Sequence, residues 1–232
     1  MRYQPLGVVG IIAPWNYPVN LALMPLAAAI GAGNHVMLKP SEHTPRTSEL
    51  LRELLAGVFP EERVATVLGG PEIAAAFAEL PFDHLFFTGS TAVGRKVMAA
   101  AAKNLVPVTL ELGGKSPAII APDYPIKTAV ARIAAGKWLN AGQTCIATDY
   151  VLIDRERIPL FVEEMREYVV RRYPNLKDNP DYTSVVNERQ YQRLVGWLAE
   201  ARERGATVIE LAEGDPAQRV LPPTLVLDAP ED

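Results

Sequence analysis

One cysteine is the whole thiol content of this 232-residue chain, so an internal disulfide framework is excluded. The lone thiol, Cys145, fits a reducing compartment, where it is either a small buried residue or a reactive group; on composition alone the buried reading is the commoner. Histidine is scarce too: His35, His43 and His84 are dispersed and give neither a metal-ligand spacing nor a Cys-His arrangement. Basic charge is not in excess. With 23 Lys and Arg against 27 Asp and Glu, scattered rather than striped, nucleic acid is not an expected partner. Long apolar runs are also missing. Pro14, Asn16, Pro18 and Asn20 interrupt any signal-like core behind Arg2, and the run from Leu21 to Gly33 is too short to span a bilayer and contains Pro25. These absences predict a soluble, cytoplasmic protein without a membrane partner.

What the chain does contain, up to Glu111, is an alternation of short apolar runs rich in β-formers with longer helical patterns. The runs are Leu6 to Ile12, Val36 to Leu38, Val64 to Leu68, His84 to Thr88 and Val106 to Leu110; the helical stretches between them include Leu21 to Gly31, Thr47 to Val58, Glu72 to Glu79 and Ala92 to Lys103. This rhythm predicts an α/β fold with a mostly parallel sheet covered by helices. In open sheets of that kind, ligands bind beyond the carboxyl ends of the strands, so the segments after each run are where chemistry is expected. Past Gly114 the rhythm changes: a strand near Ala118 to Ile120, a helix near Ile126 to Leu139, the Gly142 to Cys145 segment, and a strand at Tyr150 to Ile153. Helices near Arg157 to Tyr173 and Asn187 to Arg204 follow, then strands at Ala206 to Leu211 and Thr224 to Leu227. This part reads as the start of a second α/β domain.

Five segments carry chemistry-bearing residues, and each also has a bland explanation. Gly89-Ser-Thr-Ala-Val-Gly94 lies between a strand and a helix and looks like a dinucleotide turn, with Ser90 and the helix N-terminus available to a pyrophosphate; the alternative is a helix-capping serine with a packing glycine. Lys39-Pro-Ser-Glu42 follows the second strand, where a doubly wound fold places a ribose. Glu42 can accept from its hydroxyls and Lys39 can donate to them, and Glu42 would repel a 2'-phosphate; the alternative is a solvated turn. Pro14-Trp-Asn-Tyr-Pro18 holds Asn16 in a rigid segment, as an oxyanion donor or as the residue closing an Asx-turn. Glu111-Leu-Gly-Gly-Lys-Ser116 ends an apolar strand with a carboxylate suited to activating water in a low-dielectric cleft, or paired structurally with Lys115. Gly142-Gln-Thr-Cys145 puts the only thiol after a glycine turn, where a nucleophile needs a local activating field.

Together and in this order, Pro14-Trp-Asn-Tyr-Pro18, Lys39-Pro-Ser-Glu42, Phe87-Thr-Gly-Ser90 with Gly94, Glu111-Leu-Gly-Gly114 and Gly142-Gln-Thr-Cys145 resemble the aldehyde dehydrogenase superfamily. The resemblance covers essentially the whole chain. It is strongest to the class 3 and coniferyl-aldehyde dehydrogenase branch, through Ala147-Thr-Asp-Tyr-Val-Leu152 and Asp181-Tyr-Thr-Ser184. The absence of lysine between Asn20 and Gly33 fits that branch, whereas Thr148 stands where its closer members have proline.

The resemblance implies a Rossmann-like coenzyme domain over 1–112, lacking its N-terminal portion, followed over 113–232 by the first part of an α/β catalytic domain. It implies NAD as cofactor, with NADP as the second choice, contacted by Lys39, Ser41, Glu42, Gly70, Thr88, Gly89, Ser90, Gly94, Leu112 and Gly113. Cys145 is implied as nucleophile, Asn16 as oxyanion donor and Glu111 as the base that activates water. The implied substrate is an aromatic aldehyde of the coniferyl type or a medium to long aliphatic one, and the implied assembly is a homodimer. The chain also reads as about half of a family enzyme, running to Pro230-Glu-Asp232 without the family's N-terminal segment, oligomerisation element and later acidic motif. Two alternatives accompany this reading: an acylating dehydrogenase that passes the acyl group to coenzyme A, against which Glu111 argues, and a catalytically inert NAD-binding fragment.

Overall fold

The computed structural model describes residues 4–229; Arg2 and the 230–232 end lie outside them. Contacts divide the chain after Gly113 into two compact units.

The first unit is a five-stranded parallel sheet: β1 (Val8–Ile12), β2 (His35–Lys39), β3 (Val64–Thr66), β4 (His84–Thr88) and β5 (Val108–Glu111), in the order β3-β2-β1-β4-β5. The helices α1 (Asn20–Gly31), α2 (Pro45–Val58), α3 (Pro71–Ala78) and α4 (Thr91–Ala102) make the crossovers. Side chains alternate along a strand, so consecutive residues serve opposite faces. Ile11 accordingly packs with Leu26, Leu38 and Leu51 in one apolar cluster, while its neighbour Ile12 packs with Phe77, Leu85 and Val97 in another. Two covered faces explain why β1 is apolar at every position rather than at every second one.

Local chemistry sets the boundaries. Pro45 and Pro71 open α2 and α3, where a missing N–H costs no helical bond. α2 buries Ser48, Leu51 and Leu55, three and four residues apart, on a single stripe. The fifth strand begins at Val108, two residues later than the apolar run suggests, because Leu105 is left-handed (φ 54°) and Pro107 follows it. Buried Asn34 fixes the start of the sheet: its side-chain oxygen accepts from the Leu6 and Gly7 N–H groups at 2.7 and 3.0 Å.

In the second unit, β6 (Ser116–Ile119), α5 (Ile126–Trp138) and β7 (Thr148–Leu152) form a strand-helix-strand element with the two strands parallel. α6 (Ile158–Arg172) and α7 (Glu188–Glu203) follow, then an antiparallel pair, β8 (Thr207–Glu210) and β9 (Thr224–Leu227). The core lies where α5 meets α6, with Val130, Ala134, Met165 and Val169 almost wholly buried. Truncating Met165 to alanine there would cost roughly 2–5 kcal/mol. The loop-rich stretch between Pro174 and Thr183 is tied down by buried Leu176 and Tyr182: the Tyr182 ring packs edge-on against Tyr173 at 5.1 Å and its hydroxyl donates to the Leu221 carbonyl at 3.0 Å. Burial, then the nearby Tyr173, push the Tyr182 phenol far above its ordinary value. Among the described residues, no helix is long and apolar enough to cross a membrane.

Candidate active site

Parallel pairing places the carboxyl ends of all five strands of the first unit on one edge, and the segments singled out in the sequence follow the strand order there. Gly69 and Gly70 come after β3, Lys39 to Glu42 after β2, Pro14 to Pro18 after β1, Thr88 to Ser90 at β4, and Glu111 to Gly113 at β5. Backbone bonds join neighbours along this edge. The Val67 N–H donates to the Leu38 carbonyl at 2.8 Å, Ala13 N–H to Lys39 at 3.0 Å, and Gly89 N–H to Glu111 at 3.0 Å. The strand order reverses on either side of β1, so the chains leaving β1 and β4 diverge toward opposite faces and leave a crevice between them.

Lys39 is the least expected of these residues, being the bulkiest fully buried side chain among the described residues. A buried ammonium must be paired. Its Nζ donates to the Pro40 carbonyl at 3.1 Å and to a Glu42 carboxylate oxygen at 3.2 Å. Partial burial raises the Glu42 carboxyl, but its own backbone N–H, the Lys39 hydrogen bond and charge, and His43 together outweigh that and leave it below the ordinary glutamate value. Ser41 is buried and its hydroxyl accepts from the His43 N–H at 3.2 Å, while its carbonyl accepts from the Ser48 hydroxyl at 2.8 Å. The segment is therefore a rigid, self-bonded turn carrying an ionised carboxylate, not a solvated loop.

At the β4 end, Gly70 and Ser90 have matching positions as the residues preceding α3 and α4. The Ser90 hydroxyl accepts from the Val93 N–H at 3.3 Å, which is ordinary capping. Gly94 is buried in the first turn of α4, and a methyl group there would come within 2.9 Å of a Leu112 methyl carbon. So α4 lies close on the end of β5, and both the capping and the packing roles foreseen for this turn are filled. Thr88 is half-buried, Gly89 likewise, and Asn16 and Leu112 are half-buried too, whereas Glu111 and Gly113 are exposed. Lys115 does not pair with Glu111. It forms an ion pair with Asp149, and being largely exposed it contributes little stability.

In the second unit, the parallel pairing of β6 with β7 sets their amino ends side by side, so the residues entering the two strands are neighbours. Gly114 enters β6 and Cys145 lies just before β7. A methyl group on Gly114 would stand 3.1 Å from the Cys145 carbonyl oxygen, closer than side-chain carbons normally come. The nucleophile candidate thus sits at the amino ends of β6 and β7, before a strand as the sequence order suggests. Cys145 is exposed, and so is Ile146, while Ala147 is buried. This excludes the reading of Cys145 as a buried small residue.

The turn that delivers Cys145 is strained. Asn140, Ala141 and Gly142 are all left-handed, with φ of 54°, 51° and 78°. For non-glycine residues this conformation costs roughly 1–2 kcal/mol each, asparagine being the more tolerant. Gly142 has no latitude either, since a methyl group there would lie 3.1 Å from the Lys137 carbonyl oxygen. The compensating contacts come from Gln143. Its amide nitrogen donates to the Asn140 carbonyl at 3.2 Å and to the Ser184 carbonyl at 3.2 Å, and its amide oxygen accepts from the Val186 N–H at 3.0 Å. Three such bonds contribute about 0.5–1.5 kcal/mol each, enough to offset two strained residues. Lys137, half-buried at the end of α5, has its ammonium depressed by desolvation and the nearby Lys115, against the opposing pull of Asp149. Nothing in the sequence assigned a role to Gln143 or Lys137: two of the three Gln143 partners, Ser184 and Val186, lie more than forty residues away, beyond any local pattern. Among the described residues, no cluster of His, Cys, Asp or Glu could hold a metal ion.

The sequence model described as the aldehyde dehydrogenase family matches residues 1–232. The chain is 58% identical to a protein named "Probable coniferyl aldehyde dehydrogenase" from Pseudomonas aeruginosa, over 99% of this chain and 48% of that protein. It is 42% identical to rat aldehyde dehydrogenase family 3 member B1, over 100% of this chain and 48% of that protein. Among solved structures, the substrate-bound state of Staphylococcus aureus AldH superposes with a TM-score of 0.92 at 40% identity, over 99% of this chain and 50% of that one. A Mycobacterium tuberculosis aldehyde dehydrogenase complexed with NAD+ does so with a TM-score of 0.88 at 35% identity, over 97% and 48%. The chain spans about half the length of the curated relatives it matches. By the match along its full length and by these identities, the chain belongs to the aldehyde dehydrogenase family.

Proposed function

We propose that this chain carries the nucleophile and the coenzyme-binding edge of an NAD-dependent aldehyde dehydrogenase that oxidises an aldehyde to its carboxylic acid. The observation that carries the reading is the exposure of the only thiol on a strained, side-chain-braced turn. Strain held at one point by long-range bonds is characteristic of functional positions.

The residues at the carboxyl edge of the first unit fit a dinucleotide. Lys39 keeps Glu42 ionised and fixed, so the carboxylate can accept from two ribose hydroxyls and disfavours a 2'-phosphate; NAD is the preferred cofactor and NADP the second. Ser41 belongs to the same turn. Gly70, Thr88, Gly89, Ser90 and Gly94 would take the phosphates at the ends of β3 and β4, and Leu112 and Gly113 the nicotinamide end. When bound, the cofactor supplies the hydride acceptor.

In the proposed reaction the Cys145 sulfur attacks the aldehyde carbon, forming a C–S bond and an alkoxide. The Asn16 amide and the Cys145 backbone N–H donate to that oxygen, stabilising charge where it develops. Departure of hydride from the same carbon leaves a thioester on Cys145. Glu111 then takes a proton from water as its oxygen attacks the thioester, and the sulfur leaves with release of the acid. The names of the relatives favour an aromatic aldehyde of the coniferyl type, with longer aliphatic aldehydes next. A cytoplasmic homodimer is the proposed setting, readable from the mass in solution.

The test is turnover of coniferaldehyde with NAD by the purified full-length protein and its Cys145→Ser variant. Free acid and NADH in equal amounts, with at least about a thousandfold loss in the variant, supports the reading. Undiminished activity without the thiol, or acid production that occurs only as a coenzyme A thioester, overturns it.

A further inference from the structure

We propose that Gln143 is a positioning residue for Cys145, setting the orientation of the nucleophile through the Ser184–Val186 segment; the inference rests on the reading of Cys145 as nucleophile. Ser184 C=O and Val186 N–H flank Val185 and point to the same edge of an extended stretch of backbone. The Gln143 carboxamide occupies that edge as a peptide group of a neighbouring strand would, donating to one and accepting from the other at 3.2 and 3.0 Å. The opposite edge of Val185 is held by Arg219: the Val185 N–H donates to the Arg219 carbonyl at 2.9 Å, and the Arg219 Nε donates to the Val185 carbonyl at 3.1 Å. Val185 itself is buried.

Two backbone bonds shape the cysteine turn locally, from the Gln143 N–H to the Asn140 carbonyl at 3.0 Å and from the Ala147 N–H to the Thr144 carbonyl at 3.1 Å. The turn is also stitched sideways to a strip of backbone that is fixed from the other side. The second amide bond, to Asn140, closes the left-handed run onto the same carboxamide. Without it, Asn140 and Ala141 have a lower-energy right-handed alternative, and relaxation toward it would turn the peptides that follow, including the Cys145 N–H proposed as an oxyanion donor. One residue, Thr144, separates Gln143 from Cys145, too few to absorb such a rotation.

The experiment compares Gln143→Met, which keeps the side chain's length and removes all three bonds, with Gln143→Glu, which keeps only the acceptor for Val186. A third variant, Tyr182→Phe, removes a hydrogen bond elsewhere in the same unit. In full-length protein, competent sites are counted by the burst of NADH on mixing with aldehyde, and kcat is expressed per competent site. The proposal expects per-site kcat to fall about ten- to a hundredfold in Gln143→Met, with the KM for NAD unchanged and a partial loss in Gln143→Glu. Tyr182→Phe should lower the melting temperature and leave per-site kcat unchanged. If Gln143→Met reduces only the number of competent sites, Gln143 is structural and the proposal fails. Where the Cys145→Ser variant turns over aldehyde as fast as wild type, the reading of Cys145 as catalytic has failed instead. The rate of Cys145 alkylation by iodoacetamide then tests the positioning claim by itself: an unchanged rate in Gln143→Met overturns it, and a several-fold change upholds it.

Discussion

The two turns that matter most are built on opposite principles. The turn between β4 and α4 uses short-range grammar: strand, glycine, capping serine, helix, with the Ser90 hydroxyl bonded three residues ahead. The turn between α5 and β7 uses less of it. It runs through three left-handed residues, and the Gln143 carboxamide ties it both to Asn140 and to a distant segment at Ser184 and Val186. A binding turn can be ordinary because backbone N–H groups at a helix start suit an anion without distortion. A nucleophile must point at one carbon, and in the proposed reading of Cys145 strain plus bracing would meet that demand.

This contrast can be broken at several places. The largest effect is expected at the strained turn. Gly142→Val imposes a β-branched side chain on φ 78° and drives it toward the Lys137 carbonyl, and should destabilise the second unit by about 2–4 kcal/mol, read as a fall in the melting temperature of that unit. Next is Gly114→Ala, whose methyl meets the Cys145 carbonyl at 3.1 Å. Stability should fall by only about 1 kcal/mol while per-site kcat falls more than tenfold, because the peptide displaced is that of the nucleophile.

Lys39→Met sharpens the other side of the comparison. Replacing a buried ammonium with an apolar chain of similar volume should change stability by less than about 2 kcal/mol in either direction. It should nevertheless weaken NAD binding severalfold, measured by titration calorimetry, because Glu42 loses the bond that fixes it. The smallest effect is on acid stability. Because the folded-state carboxyl of Glu42 lies below its unfolded value, its contribution is present above the unfolded pKa and is lost as pH falls through the folded one. In Lys39→Met that acid-side loss should shrink, seen in melting temperature against pH.

The same contrast decides what could be read from sequence. The sheet, its helices and the placement of Lys39 to Glu42, Gly89 to Gly94 and Glu111 after strands were legible, since apolar periodicity and glycine or proline punctuation act within a few residues. The exposure of Cys145 was not, because a lone cysteine in sequence is more often buried. Nor was the fate of Lys39, whose motif suggests a ribose donor open to solvent but whose ammonium is buried against Pro40 and Glu42. That Cys145 precedes a strand was legible, but its closeness to Gly114 follows from β6 and β7 pairing in parallel, a tertiary fact. The Gln143 brace depends on a segment over forty residues away, and no local signal encodes it.

The central claim is that the Cys145 sulfur becomes covalently acylated during aldehyde oxidation. Quenching the full-length protein in acid while it turns over aldehyde and NAD, then weighing the peptide that contains Cys145, tests this directly. The account predicts an added mass equal to the acyl group of the aldehyde, replacing the thiol hydrogen and absent when NAD is omitted. A Cys145 peptide of unmodified mass throughout rapid steady turnover, together with an active Cys145→Ser variant, would contradict it.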